Sequence, residues 1–460
     1  MKKELKGVRN WFLYFIRTFK KGDCLTKLCF FIMGSSNLLR GQIAKGLAFL
    51  AAEIFYLYYL ITIGLSSLAG LATLGTKQQG MVMDEELGIF VVQQGDNSML
   101  MLLSGVVSLF LTALFLVIWR ASIKAGYEAQ QIKEQGKRLP GLLEDICTYF
   151  DSKIHRTLMA LPLTGILLFT VLPLFFMILI AFTNYDHEHQ PPGNLFTWIG
   201  LANFKTILLS GDTISKTFWP VLGWTIIWAV FATLLNYLGG ILLALLINRK
   251  ETKCKGLWRT LFVISIAIPQ FVSLLVVRTM LNNDGAVNAL LRELGIIADT
   301  AFVPFLSNPS WARITVILVN LWVGIPYTML ITTGILSNIP GDLYDSARVD
   351  GANQVVIFFK ITMPYVVFVT TPYLITQFIG NINNFNVIYF LTGGGPISLD
   401  YYQAGKTDLL VTWLYKLTTG TKKDYSYASA IGILVFILSA VFSLISYRRT
   451  ASYNREEDFQ

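Results

Sequence analysis

The chain has 460 residues, of which 54% are hydrophobic and only 14% charged, whereas a soluble domain averages about 45–50% and about 25%. Apolar runs of about 20 residues recur along it, each long enough to cross a hydrocarbon core of roughly 30 Å, so a soluble globular fold is excluded. The net charge of +9 then reports topology rather than affinity for nucleic acid, because Lys and Arg collect in loops that stay in the cytoplasm.

The opening stretch, "MKKELKGVRNWFLYFIRTFKKGDC", is broken by Arg17, Lys20 and Lys21 and offers no small-residue cleavage site. It reads as a basic amphipathic segment on the inner leaflet, not a removable leader. Eight spans are predicted after it, at roughly 47–68, 98–119, 157–183, 220–247, 260–281, 313–336, 365–391 and 427–446. With the N-terminus inside, 27 of the 37 Lys and Arg residues fall in cytoplasmic segments and 8 in external ones, which puts both termini in the cytoplasm. The external segment 392–426, with Lys406, Lys416, Lys422 and Lys423, fits this scheme least well. Cys24, Cys29, Cys147 and Cys254 all fall on the inner side, where thiols stay reduced. Cys24-x4-Cys29 lacks the spacing and His partners of a zinc site.

Composition divides the chain into three. Residues 1–156 carry the basic segment, two spans and the charged linker "RASIKAGYEAQQIKEQGKRLPGLLED"; residues 157–447 carry six spans richer in Pro and Gly; residues 448–460 form a tail. Pro162, Pro173, Pro269, Pro326 and Pro372 free backbone groups that neighbouring helices or a polar cavity must satisfy. The six-span block therefore reads as the working core and the first block as an accessory, within an all-α polytopic membrane fold.

The six core spans contain no Asp, Glu or His, the residue types that build intramembrane proton relays. Sodium coupling through hydroxyls and carbonyls stays open. Glu53, in the first span, reads as a helix-packing hydrogen bond or a snorkelled carboxylate. Neutral polar groups line the core instead. Asn320, Gly324 and Tyr327 follow one helical stripe, Gly380, Asn381 and Asn384 another, and Gln270 and Ser273 adjoin Pro269. Amides and a ring suit a neutral carbohydrate, while the same amides also serve as glue between helices.

Two motifs mislead. "DYYQAGKT" ends like a phosphate-binding loop, but Asp400 stands where its first Gly is needed. "DHEHQ" places His187 and His189 beside Glu188 without a third separated metal ligand. No metal, cofactor or catalytic set is expected.

The stretch "YDSARVDGANQVVIFFKITMP" lies between spans six and seven on the predicted inner face, yet over 337–364 Asp342, Asp345 and Asp350 outnumber Arg348 and Lys360. Pro340 and Pro364 bracket it, so neither flanking span is expected to run through it as a regular helix. Two short helices are expected to meet at Gly351, where a sharp turn is permitted. Leu343, Ala347, Val349, Phe358 and Ile361 give each an apolar side fit for a partner's groove. Asp345-Ser346-Ala347, three residues, Gly351, nine residues, Ile361, one residue, Met363-Pro364 resembles the EAA loop of ABC-importer permeases, E-A-A-x3-G-x9-I-x-L-P. Asp345, Ser346 and Met363 are its three departures. "SNPSWARITVILVNLWVGIPYTML", "DGANQVVIFFKITMP", "NNFNVIYFLTGGGP" and "TDLLVTWLY" resemble the maltose/maltodextrin (MalF-type) permease subunits, over roughly residues 158 to 447.

That resemblance implies a six-helix permease core in a bacterial cell membrane, importing oligosaccharides of the maltose/maltodextrin class. Its partners would be a second permease, two cytoplasmic ATPases that bind the ATP, and an extracytoplasmic sugar-binding protein. The loop 340–364 would be the ATPase-coupling element, through Asp345, Ser346, Ala347, Asp350, Gly351, Ala352, Ile361 and Pro364. Sugar contacts would fall at Ile266, Gln270, Asn320, Gly324, Tyr327, Gly380, Asn381 and Asn384. Another oligosaccharide, such as a galacto-oligosaccharide, and an ion-coupled carrier are the alternative readings, and a membrane scaffold or sensor that moves no sugar is a third.

Overall fold

The computed structural model describes residues 14–84, 88–249 and 251–448. Residues 1–13 of the basic segment and 449–460 of the tail lie outside the described residues. Among the described residues seven helices are long and apolar enough to cross a membrane, and eight spans result if one bent pair counts as one. The chain divides into two compact units, Met1–Trp198 and Ile199–Gln460. Predicted span three therefore lies in the first unit.

In the first unit the long helices are α1 (Ile43–Thr73), α2 (Ser98–Glu134) and α3 (Ile154–Ile180). Between α1 and α2 sits an antiparallel hairpin, β1 (Gly80–Asp84) and β2 (Ile89–Gln93), with Met83 paired to Phe90. α3 contains Pro162 and Pro173 without breaking; the turn Leu167–Val171 widens to a π-helix two residues ahead of Pro173, relieving the clash of its ring with the preceding turn.

Residues 14–42 fold back onto α1 and α2. Asp23 caps the helix Cys24–Leu28 through the Thr26 N–H (2.8 Å) and pairs with Arg40 at 2.6 Å. Gln130 of α2 accepts from the Asp23 N–H and the Thr26 hydroxyl, and Trp119 donates to the Phe30 carbonyl. Glu53 is the α1 member of this clasp: its carboxylate accepts the Met33 N–H at 2.7 Å. Glu53→Leu removes that acceptor and is expected to cost about 1–3 kcal/mol, read as faster tryptic cleavage after Lys27 and Arg40. Glu53→Gln keeps an acceptor and should behave like the parent.

The second unit is built on α4 (Thr213–Asn248) and α7 (Pro309–Ser337), with α5 (Lys255–Ala267), α6 (Gln270–Met280), α8 (Gly341–Val349), α9 (Met363–Ile382), α10 (Phe385–Thr392), α11 (Leu410–Thr419) and α12 (Tyr425–Arg448) around them. Small residues let α4 and α7 approach closely: a Cβ added at Gly239 would lie 2.6 Å from Ile325, and one at Gly240 2.5 Å from Thr328. Trp224, Trp228 and Trp413 are buried, and each indole N–H is matched by a backbone carbonyl, of Thr407, Asn381 and Tyr402 respectively.

Predicted span five is not one straight helix. α5 and α6 bend by 88° at Ile268–Pro269, where the missing proline N–H ends the ladder. Pro326 and Pro372 sit inside unbroken helices. Pro364 also departs from expectation. The helical run continues through it from Gln354 to Ile382, because Phe358–Thr362 widens to a π-turn just ahead of the proline.

Segment 393–424 is tied together by acids. The Asp408 side chain is fully buried, meets Lys416 Nζ at 2.6 Å, and accepts the Gly405 N–H and the Thr412 hydroxyl. Tyr402 donates to Asp424 at 2.6 Å, which, with burial, pushes the Tyr402 phenol well above its usual range. The phosphate-loop lookalike is spent here on structure. Gly405 packs against the Gly394 backbone, Lys406 lies over the Tyr401 ring at 3.6 Å, and the Thr407 hydroxyl bonds the Gly395 carbonyl.

Candidate functional site

The loop 340–364 explains its own spacing. Helix α8 ends in a Schellman cap: the Ala352 N–H bonds the Ala347 carbonyl, the Gly351 N–H bonds the Arg348 carbonyl, and Gly351 takes φ +77°. Three residues between Ala347 and Gly351 are what that closure needs. The Asn353 side chain then caps the helix that starts at Gln354, through the Val356 N–H at 2.8 Å. Asp345 is exposed and pairs with Arg348 at 2.9 Å; Ser346 and Asp350 are exposed, and Ala347, Ala352 and Ile361 partly so. Val349 is 88% exposed, with Leu343, Val355 and Phe359 also open. An acidic rim around an apolar knob is a surface shaped for a complementary groove.

The predicted sugar contacts separate into two groups. Asn381, Asn384 and Gly324 are used by the fold. Asn381 Nδ2 donates to Thr233 at 3.0 Å, and its carbonyl accepts from Trp228. Asn384 caps α10 through the Val387 N–H and donates to Asn381 Oδ1 at 3.4 Å. A Cβ at Gly324 would overlap the Asn236 carboxamide. Of the other five, all but Asn320 remain accessible. Ile266 is 41% and Tyr327 48% exposed, and Gly380 has open space around it. Gln270, the first residue of α6, accepts from Asn386 at 3.3 Å. Asn320 is buried on α7, and its Nδ2 has no partner among the described residues.

One of the eight lines a polar slot of about 10 Å³ between α4, α7 and α9, and two more adjoin its lining residues. The slot has room for one water-sized group. Asn381 lines it directly; Tyr327 reaches it through Tyr373, whose ring centroid lies 6.1 Å away; Gly324 reaches it through Asn236. Thr233, Asn236, Thr328, Tyr373 and Gln377 complete the wall. Oδ1 of Asn236 is buried there without a partner among the described residues, an arrangement that costs about 1–3 kcal/mol when nothing fills it. Asn236, Tyr373 and Gln377 were not singled out from the sequence, although Asn236 is the one amide in the middle of an apolar run, "WAVFATLLNYLGGILLALL".

A multi-span core carrying this loop and a neutral polar interior defines a membrane permease. Residues 237–451 match the family described as "Binding-protein-dependent transport system inner membrane component", and the chain belongs to that family of permeases. It is 34% identical to the maltodextrin transport system permease protein MdxF of Bacillus subtilis, over 93% of this chain and 95% of that one. It is 35% identical to the galactooligosaccharides transport system permease protein GanP of the same organism, over 78% and 85%. Against the maltose/maltodextrin permease protein MalF of Klebsiella aerogenes the identity is 35% over 60% of this chain, which spans about half (53%) of that longer relative. Among solved structures, a chain of a bacterial alginate ABC transporter shares the fold, with a TM-score of 0.52 at 24% identity, over 66% of this chain and 95% of that one.

Proposed function

We propose that this permease imports neutral oligosaccharides of the maltodextrin class. In this reading a second permease of the same family completes the pathway, a sugar-binding protein docks outside, and two cytoplasmic ATPases grip loop 340–364. Residues 157–447 form the permease core, and both termini lie in the cytoplasm. The observation that carries it is the near full-length match to a maltodextrin permease. The lining supports it: the spans that bound the slot hold amides, hydroxyls and rings with no ionisable acid or His, a set that recognises hydroxyls rather than charges. Gln270 and Tyr327 are the predicted contacts that carry accessible polar groups, while Asn320 is buried.

The match to GanP keeps galacto-oligosaccharides as a second reading. Uptake of labelled maltotriose by cells carrying the complete system decides between them. Unlabelled maltodextrins should compete at least tenfold better than galacto- or fructo-oligosaccharides, and the reverse order would overturn the assignment. Uptake that survives ATP depletion and stops with ion uncouplers would point instead to an ion-coupled carrier.

A further inference from the structure

Asn236 lies deep in α4, inside the longest apolar helix of its unit, and its Oδ1 meets no donor among the described residues. Most other polar groups of the slot are already engaged. Thr233 accepts from Asn381, Tyr237 hydrogen-bonds Thr370, and Thr328 hydrogen-bonds Tyr373 at 3.2 Å. A leucine of similar size would fill the same space without the penalty of a buried unmet carbonyl. The room for the carboxamide is provided by α7, where Gly324 carries no side chain to oppose it. Beside the amide the slot holds one oxygen-sized group and not a sugar ring. Its edge is Tyr373, which leans on the half-exposed Tyr327.

We propose that Asn236 is a further substrate-binding residue. Its Oδ1 accepts a hydrogen bond from one hydroxyl of the passing oligosaccharide, and Gly324 serves by leaving space for that amide rather than by touching sugar. The inference rests on the reading of the chain as an oligosaccharide permease. The ligand class is a neutral polyhydroxyl compound: a hydroxyl donates to Oδ1 and accepts in turn from Tyr373 or Gln377, whereas a carboxylate has no proton to give. A site built around one hydroxyl discriminates sharply against an analogue that lacks it, because its own buried group is then left unpaired.

The test uses the complete transporter, with its partners and binding protein, and a panel of monodeoxy maltotrioses. Any preference of the binding protein is common to parent and variant permeases and drops out of the comparison. The parent should transport at least one deoxy sugar tenfold more slowly than maltotriose. Asn236→Leu should lose that discrimination while still moving maltotriose at a reduced rate, and Asn236→Ala should do the same if the leucine variant fails to assemble. An unchanged deoxy profile in these variants, or no position at which the parent discriminates, overturns the role of Asn236. Absence of any maltotriose uptake by the parent overturns instead the functional reading beneath it. The space-making role is read separately: Gly324→Ala should lower the amount of assembled complex, and adding Asn236→Ala should restore it. Failure to restore refutes that role.

Discussion

A Gly351→Val permease, assembled with its partners, is expected to lose at least nine-tenths of its ATP-driven uptake while remaining in the membrane at parental levels. Gly351 sits at φ +77°, and nothing lies within 4 Å of the place where a Cβ would stand. Any penalty is therefore conformational and not steric. A side chain in the left-handed region costs about 1–2 kcal/mol, and β-branched residues tolerate it least. That is enough to shift the turn's population about five- to thirtyfold, releasing the Ala347–Ala352 hydrogen bond and displacing the exposed Val349. Because this knob is exposed, folding should suffer little while coupling suffers much. Asparagine, which visits this region, should keep most uptake and alanine less. Equal uptake across the glycine, asparagine, alanine and valine series would show that the turn's geometry does not matter to coupling.

Asp408→Ala should produce the largest loss of stability, about 3 kcal/mol, seen as a lowered thermal midpoint of the purified protein. The carboxylate is fully buried and its loss strands Lys416 and the Gly405 N–H together. Removing one member of a buried ion pair costs about 3–5 kcal/mol, and the low end applies because Lys416 is a quarter exposed. Lys416→Met tests the same pair from the other side. Burial already pushes the Asp408 carboxyl upward against the pull of Lys416, and without the lysine it rises further. A carboxyl whose folded pKa is raised stabilises the fold below its unfolded pKa and loses that contribution as pH rises through the folded one. The Lys416→Met deficit should therefore shrink in mild acid and widen toward pH 8. A deficit independent of pH would mean that Asp408 is not the group responsible.

The hydrophobic runs placed seven membrane-length helices and the bent pair α5–α6, because length and apolarity decide what can cross a bilayer. The turn at Gly351 was legible for a similar reason: a helix end with glycine at C′ is a local device. What proline does within a span was not. Pro326 and Pro372 ride inside helices, Pro364 is absorbed by a π-turn, and Pro269 alone produces an 88° bend. The outcome depends on packing around each ring, which no local pattern encodes. The polar stripes were legible as stripes but not as roles. Asn381 and Asn384 turned out to fasten helices, and the unmet acceptor of Asn236 went unnoticed because a lone amide in an apolar run looks the same whether it is paired or waiting.

The elbow at Ile268–Pro269 has a consequence for hydration. At the join the Val272 and Ser273 N–H groups bond the Pro269 carbonyl, and the Ile268 N–H bonds the Ile264 carbonyl. The other terminal carbonyls of α5 and first amide protons of α6 have no rungs within their own helices, and Gln270 stands there. Hydrocarbon cannot solvate such bare peptide groups, so water or a permeant molecule must come to them. An elbow of this kind favours a hydrated surround over a hydrocarbon one, and Ile266 and Gln270 flank it.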